Sequence, residues 1–426
     1  MPLVSEQQLA MQGYTLHVIE TAKYKTNTII WKMKAPLDEE TVTYRALLPH
    51  VLQDSTKNYP TTTAFRSHLD DLYGAMLYVD LSKKGEYHVI TISMEIPNEK
   101  FLRDKTPLLQ KGIDLLGEVL LNPNADSNTF DQSIVDKEKR NLKQRIQSIY
   151  DDKMRYSSVR LVEEMCKGEA YALQVNGEAG QVDGITAQSL FEYYKRALNE
   201  DELDLYIIGD INASDAEKYC SKLHFNKREP AVVSGGETAK AEKVNEVKEV
   251  QDLKQGKLNM GYRTHTVYGD PDYFAMQMFN GIFGGFPHSK LFVNVREKES
   301  LAYYAASRIE SHKGLLMVMS GIENKNYDKA VSIIKEQMEL MKKGEFSDQE
   351  LEQTKAVILN QFLEAIDTAR GLVEIMYHNV VSKNKVELQD WIDKVAETTK
   401  EDIMGIAAKI ELDTIYFLSG PEGEQS

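Results

Sequence analysis

The sequence predicts an α+β protein made of two similar domains, each an antiparallel-dominated sheet covered by helices on one face. Three observations predict it. Strand and helix patterns run in the same order twice along the 426 residues. LYIIGD (205–210) returns as IYFLSG (415–420), and FDQSIVDKEKR (130–140) resembles FSDQELEQTK (346–355). Gly85 and Gly314, 229 residues apart, occupy equivalent turns between strand patterns. A repeat of this length is too long for a solenoid and reads as an ancient duplication.

In the first half, YTLHVIE (14–20) and TNTIIWKMK (26–34) alternate as two strands with a short connection. Asp38-Glu39-Glu40 suits a helix start, and the helix runs to about Gln53. TTTAFRSHLDDLYG (61–74) reads as a second helix ended by Gly74. AMLYVDLS (75–82) and YHVITISMEI (87–96) form a hairpin through Lys83-Lys84-Gly85. Helical patterns then cover 107–121, 127–150, 156–167 and 186–198, before LDLYIIGD (203–210) as a short buried strand.

The second half has strands at 244–250 and 256–264 and helices at 271–283 and 287–299. A hairpin of 303–311 and 314–323 follows, then helices at 327–343, 347–366, 370–382 and 398–410, and a last strand at 413–420. REPAVVSGGETAKAEK (228–243) carries Pro230, Gly235 and Gly236 among small and charged residues and reads as a solvated linker. The expected division is residues 1–228, linker 229–243, and 244–426.

Composition excludes several function classes. Hydrophobic residues make up 42% and charged residues 27%, as in a folded soluble domain. The net charge of −15 argues against a nucleic-acid or anionic-membrane partner, both of which need a basic face. Cys166 and Cys220 are too few for a disulfide framework and read as reduced thiols. The first twenty residues carry no basic segment followed by an apolar run, and no apolar run is long enough to span a bilayer, so a cytoplasmic protein is expected.

The most informative stretch is FNGIFGGFPHSKLFVNVREKESLAYYAAS (279–307). It combines a Gly-Gly break after a helix, a second helix, and R-E-x-x-x-L-A-Y entering a strand. On this pattern, and on the duplicated halves, the chain resembles the insulinase and mitochondrial-processing-peptidase family of zinc metallopeptidases over essentially its whole length. The resemblance implies half of a clam-shell chamber that encloses short unfolded peptides. One side of such a chamber supplies zinc through an H-x-x-E-H helix and a later Glu, whose bound water is deprotonated by the Glu of the motif. The other side supplies an Arg and a Tyr that hold substrate carbonyls. Arg296 and Tyr303, seven residues apart, match that pair. By type alone they could be a surface Arg and a sheet Tyr. The motif favours a substrate contact, with the guanidinium and the phenol stabilising a peptide oxyanion.

On the metal side the resemblance sets H-x-x-E-H against Ala46-Leu47-Leu48-Pro49-His50. Ala46 stands at the first His, Pro49 at the catalytic Glu, and only His50 remains. No H-x-x-E-H or H-E-x-x-H occurs elsewhere, and no two of the nine histidines lie three or four apart. The positions matching the later Glu, Gln144 to Ile146, hold no carboxylate, and Glu138 lies one or two turns earlier. Zinc needs about three protein ligands, so no catalytic residue, metal ligand or cofactor is expected in this chain.

Gly281, Gly284 and Gly285 lack the G-K-[ST] of a phosphate loop. The resemblance places the glycine-rich stretch, with Gly284 and Gly285, at the chamber entrance as a substrate contact, and Phe283 and Phe286, which flank the glycines, are suited to touch an apolar peptide side chain. The alternatives are a helix C-cap for the glycines and a core role for Phe283 and Phe286. Asp70-Asp71 and Asp151-Asp152 read as solvated faces or caps, and Asn212-Ala213-Ser214 is a formal sequon with no expected use. The resulting expectation is an inactive homologue that binds short peptides and pairs with an H-x-x-E-H chain, zinc being held only by that partner. The alternative is a metal-free peptide-binding or scaffolding homodimer. An active metalloprotease with an unrecognised site would have to bind zinc.

Overall fold

A computed structural model describes residues 4–228, 233 and 243–421. The expected linker, 229–243, lies outside the described residues except for 233 and 243. The chain divides into two compact units, one of Met1–Ser148 with Leu173–Ser234 and the other of Ile149–Ala172 with Gly235–Ser426.

The first unit begins with β1 (Glu6–Met11), β2 (Tyr14–Glu20) and β3 (Thr26–Pro36), followed by α1 (Val42–Asp54) and α2 (Thr62–Asp71). The β1 strand was missed because its polar EQQLAM run sits half-exposed at a sheet edge. Asp38 accepts hydrogen bonds from the Glu40 and Thr41 amides just before α1, as its acidic run suggested. Tyr73 and Gly74, both left-handed at φ 59° and 73°, turn the chain after α2. The hairpin of β4 (Met76–Lys84) and β5 (Tyr87–Pro97) turns through Gly85 at φ 56°.

Next come α3 (Leu108–Leu121), a two-residue ladder of β6 (Ala125–Asp126) and β7 (Thr129–Phe130), and α4 (Gln132–Asp151). That small hairpin displaces the expected start of α4 from 127 to 132, where Asp131 accepts from the Ser133 and Ile134 amides. After α5 (Lys153–Met165), which belongs to the second unit, the first unit resumes with α6 (Ala179–Val182), α7 (Ala187–Glu200), β8 (Glu202–Gly209) and α8 (Ala213–Cys220). The sheet order is β1-β2-β8-β3-β5-β4, antiparallel except for β2 beside β8. Its core joins Trp31, Met33 and Leu205 of the sheet to Leu47 of α1 and Leu116 of α3.

The second unit contains β9 (Asn245–Val250), β10 (Gly256–Arg263) and α9 (Tyr273–Asn280), then β11 (Ala302–Glu310) and β12 (Leu315–Ile322). It closes with α10 (Tyr327–Lys342), α11 (Asp348–Ile366), α12 (Ala369–Ser382), α13 (Leu388–Glu397), α14 (Lys400–Lys409) and β13 (Glu411–Ser419). Read from one edge its sheet is β9-β13-β10-β12-β11, with β13 and β9 parallel. This is the first sheet's order without β1: a parallel edge pair, then antiparallel neighbours. β13 takes the place of β8, as IYFLSG and LYIIGD implied, and Gly314 at φ 69° turns the second hairpin as Gly85 turns the first.

One helix departs from the linear division. Residues 149–172, expected in the first half, cluster with the second unit. The helix α5 lies on the face of the second sheet that carries Gly261, where an added Cβ would come within 2.5 Å of the Met165 sulfur. Arg263 on the same face donates to the Met165 carbonyl and to Glu169, and pairs with Asp413 at 3.0 Å. The alternate residues Leu258, Met260 and Tyr262 face the main core of the unit. The second sheet is therefore covered on both faces, where helices on one face were expected.

Candidate functional site

In the first unit, α1 holds the five positions set against the metal motif. Ala46, Leu47 and Leu48 are buried in the core, and Pro49 sits inside the helix. The fixed ring of Pro49 removes one helical N–H and offers no titratable group. One turn of α1 is anchored from inside by Arg45, which is fully buried. Its guanidinium donates to Asp201 at 2.6 Å, to the Tyr193 hydroxyl, and to the carbonyls of Met33 and His88.

His50 faces a cleft of ≈ 430 Å³. Across from it α4 presents Lys137, Glu138 and Asn141 to the same cleft. Sequence spacing had set Glu138 apart from His50, but the fold brings the two together. Glu138 is buried and bonded to Asn141 at 3.1 Å and to Lys137 at 3.4 Å. Lys137 also pairs with Asp54, which accepts from the Thr62 hydroxyl. Arg145 follows Glu138 and Asn141 at helical spacing on the same face of α4. It is the middle one of the three positions, Gln144 to Ile146, that matched the later Glu. Burial pushes the His50 imidazole down to about 4, and the Arg145 charge adds to that.

These residues do not fit zinc. Two of the motif's three functional positions, Ala46 and Pro49, offer no ligand atom, Glu138 is engaged by Lys137, and a guanidinium stands beside the one imidazole. Among the described residues no three His, Cys, Asp or Glu side chains converge as a metal set. The cationic neighbour is what the sequence comparison could not reveal, because residue 145 registers there only as a missing carboxylate.

In the second unit, the glycine stretch follows α9 as a π-helical segment, Gly281–Gly285, and a second one spans Leu291–Lys298. The expected helices 271–283 and 287–299 are thus partly widened turns. None of Gly281, Gly284 or Gly285 adopts the left-handed conformation of a C-cap. Gly284 is buried, and a Cβ there would lie 2.5 Å from the Ser307 hydroxyl and 2.8 Å from the Ser307 amide nitrogen of β11. Gly285 is exposed, and Phe286 is half-buried against the core, whereas Phe283 is fully buried.

Arg296 lies in the last turn of the second π-helical segment, its guanidinium 4.5 Å from the centre of the Phe292 ring. The chain then reverses through Ser300, at φ 50°, into β11, where Tyr303 is 70% exposed. Among the described residues neither side chain makes a hydrogen bond or ion pair, so the donors of both are open to solvent or ligand.

The remaining candidates are structural. Cys166 and Cys220 are both buried and form no disulfide, and burial pushes the Cys220 thiol up to about 12. Asp152 caps α5 by accepting from the Met154 and Arg155 amides, and Asn212 of the sequon caps α8 through the Ser214 amide. Among the described residues no helix is long and apolar enough to cross a membrane.

With this geometry in place, comparison with known proteins is informative. Residues 184–358 match the family described as the Peptidase M16 inactive domain. The chain is 54% identical, over 99% of its length and 100% of the relative, to "Probable inactive metalloprotease YmfF" of Bacillus subtilis (strain 168). A conserved protein from Enterococcus faecalis V583 shares the structure at TM-score 0.91 and 36% identity, covering 99% of this chain and 100% of that one. A peptidase M16 inactive domain from Pseudomonas fluorescens shares the fold at TM-score 0.80 and 18% identity, covering 99% of each chain. The buried alanine, the helical proline and the guanidinium beside a lone imidazole agree with these likenesses: the chain belongs to the M16 peptidase family, as a homologue of its inactive metalloproteases.

Proposed function

We propose that this chain is the non-catalytic, substrate-binding subunit of a zinc peptidase. It pairs with a homologous chain that carries H-x-x-E-H, and the two enclose short unfolded peptides in a cytoplasmic chamber. Zinc is held by the partner alone. The observation that carries the reading is the exposed, unpaired pair of Arg296 and Tyr303 on either side of the Ser300 turn. A large aromatic left 70% exposed and an exposed guanidinium seven residues before it leave their donors open. Arg296 and Tyr303 hold carbonyl oxygens of a peptide whose scissile bond lies at the partner's zinc. Gly285 and Phe286 border the bound segment, and Gly284 lets the π-helical turn approach β11.

The test mixes purified chain with an H-x-x-E-H-bearing homologue and follows peptide cleavage. The mixture is expected to cut, and Arg296→Ala to lower kcat/KM by roughly ten-fold or more, the value of a charged hydrogen bond. Unchanged cleavage by the variant removes the substrate-holding role. A stable homodimer that binds peptides and ignores the homologue would instead favour a scaffolding protein with no hydrolytic role.

A further inference from the structure

The cleft of the first unit has a charge balance of its own. Its two carboxylates are satisfied internally, Asp54 by Lys137 and Thr62, and Glu138 by Lys137 and Asn141. Arg66, at the exposed rim, makes no hydrogen bond or ion pair among the described residues. Arg145 stands beyond Asn141 on the same helix face, and its Nε and Nη2 are buried with no hydrogen-bond partner. Buried guanidinium donors without an acceptor are costly, so an acceptor that reaches them gains more than one that binds in open water. The planar fork of Arg matches a carboxylate with two parallel bonds. Phe65, Leu69 and Leu77 add apolar surface to the lining. The protein as a whole carries a net charge of −15, so attraction for an anion here is local.

We propose that the cleft standing where related chains would hold a metal anchors the C-terminal carboxylate of a peptide. Arg145 and Arg66 take the carboxylate, and Phe65, Leu69 and Leu77 receive an apolar last side chain. A neutral His50 and the Asn141 amide supply hydrogen bonds without adding charge. The substitution that repels a divalent cation at this spot is the one that attracts an anion. The proposal rests on the peptide-binding part of the function above, and needs neither the partner nor Arg296.

The experiment measures fluorescence anisotropy of a short, N-terminally labelled, unstructured peptide ending in leucine, with the full chain alone. Three forms are compared: the free acid, the C-terminal amide, and the amide with a penultimate aspartate. The free acid is expected to bind roughly ten-fold or more tightly than the amide, and the aspartyl amide to recover little of this. Arg145→Met removes the acid–amide difference, and Arg145→Lys keeps part of it. Arg66→Gln, at the exposed rim, reduces the difference and serves if Arg145→Met fails to fold. Equal binding of acid and amide, full recovery by the internal aspartate, or no peptide binding overturns the anchor. Equal binding with partner-dependent cleavage still lost in Arg296→Ala overturns the anchor alone. Acid-selective binding with Arg296→Ala cleaving normally overturns the subunit role alone.

Discussion

Arg45 and His50 sit five residues apart on one helix and use burial in opposite ways. Arg45 stays charged in the core because Asp201 and three further acceptors meet its two Nη groups, although burial alone would lower its pKa. Replacing it with methionine strands the Asp201 carboxylate, and removing one partner of a buried pair costs about 3–5 kcal/mol. Urea unfolding of Arg45→Met should show that loss. The Arg45→Met/Asp201→Asn double variant should be less destabilised than the two single losses summed. Additive losses would mean that the ion pair is not what anchors α1.

His17 gives a pH response of the opposite sign to that of His50. It bridges Glu6 of β1 at 2.7 Å and Asp204 of β8 at 3.0 Å. Burial lowers its pKa, but the bonds to Asp204 and Glu6 outweigh burial and raise it from 6.5 to about 9. The folded state therefore holds the proton more tightly than the unfolded chain. The stabilisation is complete below about 6.5 and is lost as pH rises through about 9, amounting to about 3 kcal/mol at most. Raising the pH from about 6 to about 10 should lower the protection of the β1 amides relative to their intrinsic exchange rate at each pH, and His17→Gln should flatten that response. His50, lowered to about 4, works the other way: its neutral form stabilises at pH above about 6.5, and the effect fades as pH falls toward 4.

The π-helical turns decide the local geometry of the second unit. The widened Gly281–Gly285 segment brings Gly284 against β11, where a side chain would collide with the Ser307 backbone. Gly284→Ala should cost about 1–3 kcal/mol through this overlap and lower Tm by several degrees. At exposed Gly285 the nearest atom to an added Cβ is the Asn280 amide nitrogen, at 2.9 Å on a movable side chain, and Gly285→Ala should cost less. Thermal unfolding separates the two roles: an unchanged Tm with weakened peptide binding for Gly284→Ala would return that residue to direct substrate contact. α5 shows the same dependence on packing. Its own sequence is an ordinary amphipathic helix, and only the space left by Gly261 and the acceptors offered to Arg263 fix which sheet it covers.

Across the molecule, two sheets share one strand order. The duplication was legible in the sequence because each copy repeats local signals: period-2 strands, the hairpin glycines Gly85 and Gly314, and the paired LYIIGD and IYFLSG strands. The want of ligand atoms at positions 46 and 49 was equally legible, since it follows from the identities of Ala46 and Pro49 whatever the fold. The Arg/Tyr pair could be named from its motif, but its exposure could not. The edge strand β1 and the two-turn helix α8 were missed because a half-exposed edge or so short a helix leaves little periodicity, whereas the ten-residue α13 is strongly amphipathic and its pattern was there to read.

The sequence by itself thus determined which residues stand at the motif positions and how the two halves repeat, because both are written in residue identity and short-range spacing. Only the tertiary structure decided that Glu138 shares a cleft with His50, that Arg145 stands beside the imidazole, and that α5 belongs with the second sheet. Those contacts join residues roughly ninety or more positions apart, and no local pattern records them. They exist because burying apolar faces brings distant segments together and leaves their polar groups to find partners where they land.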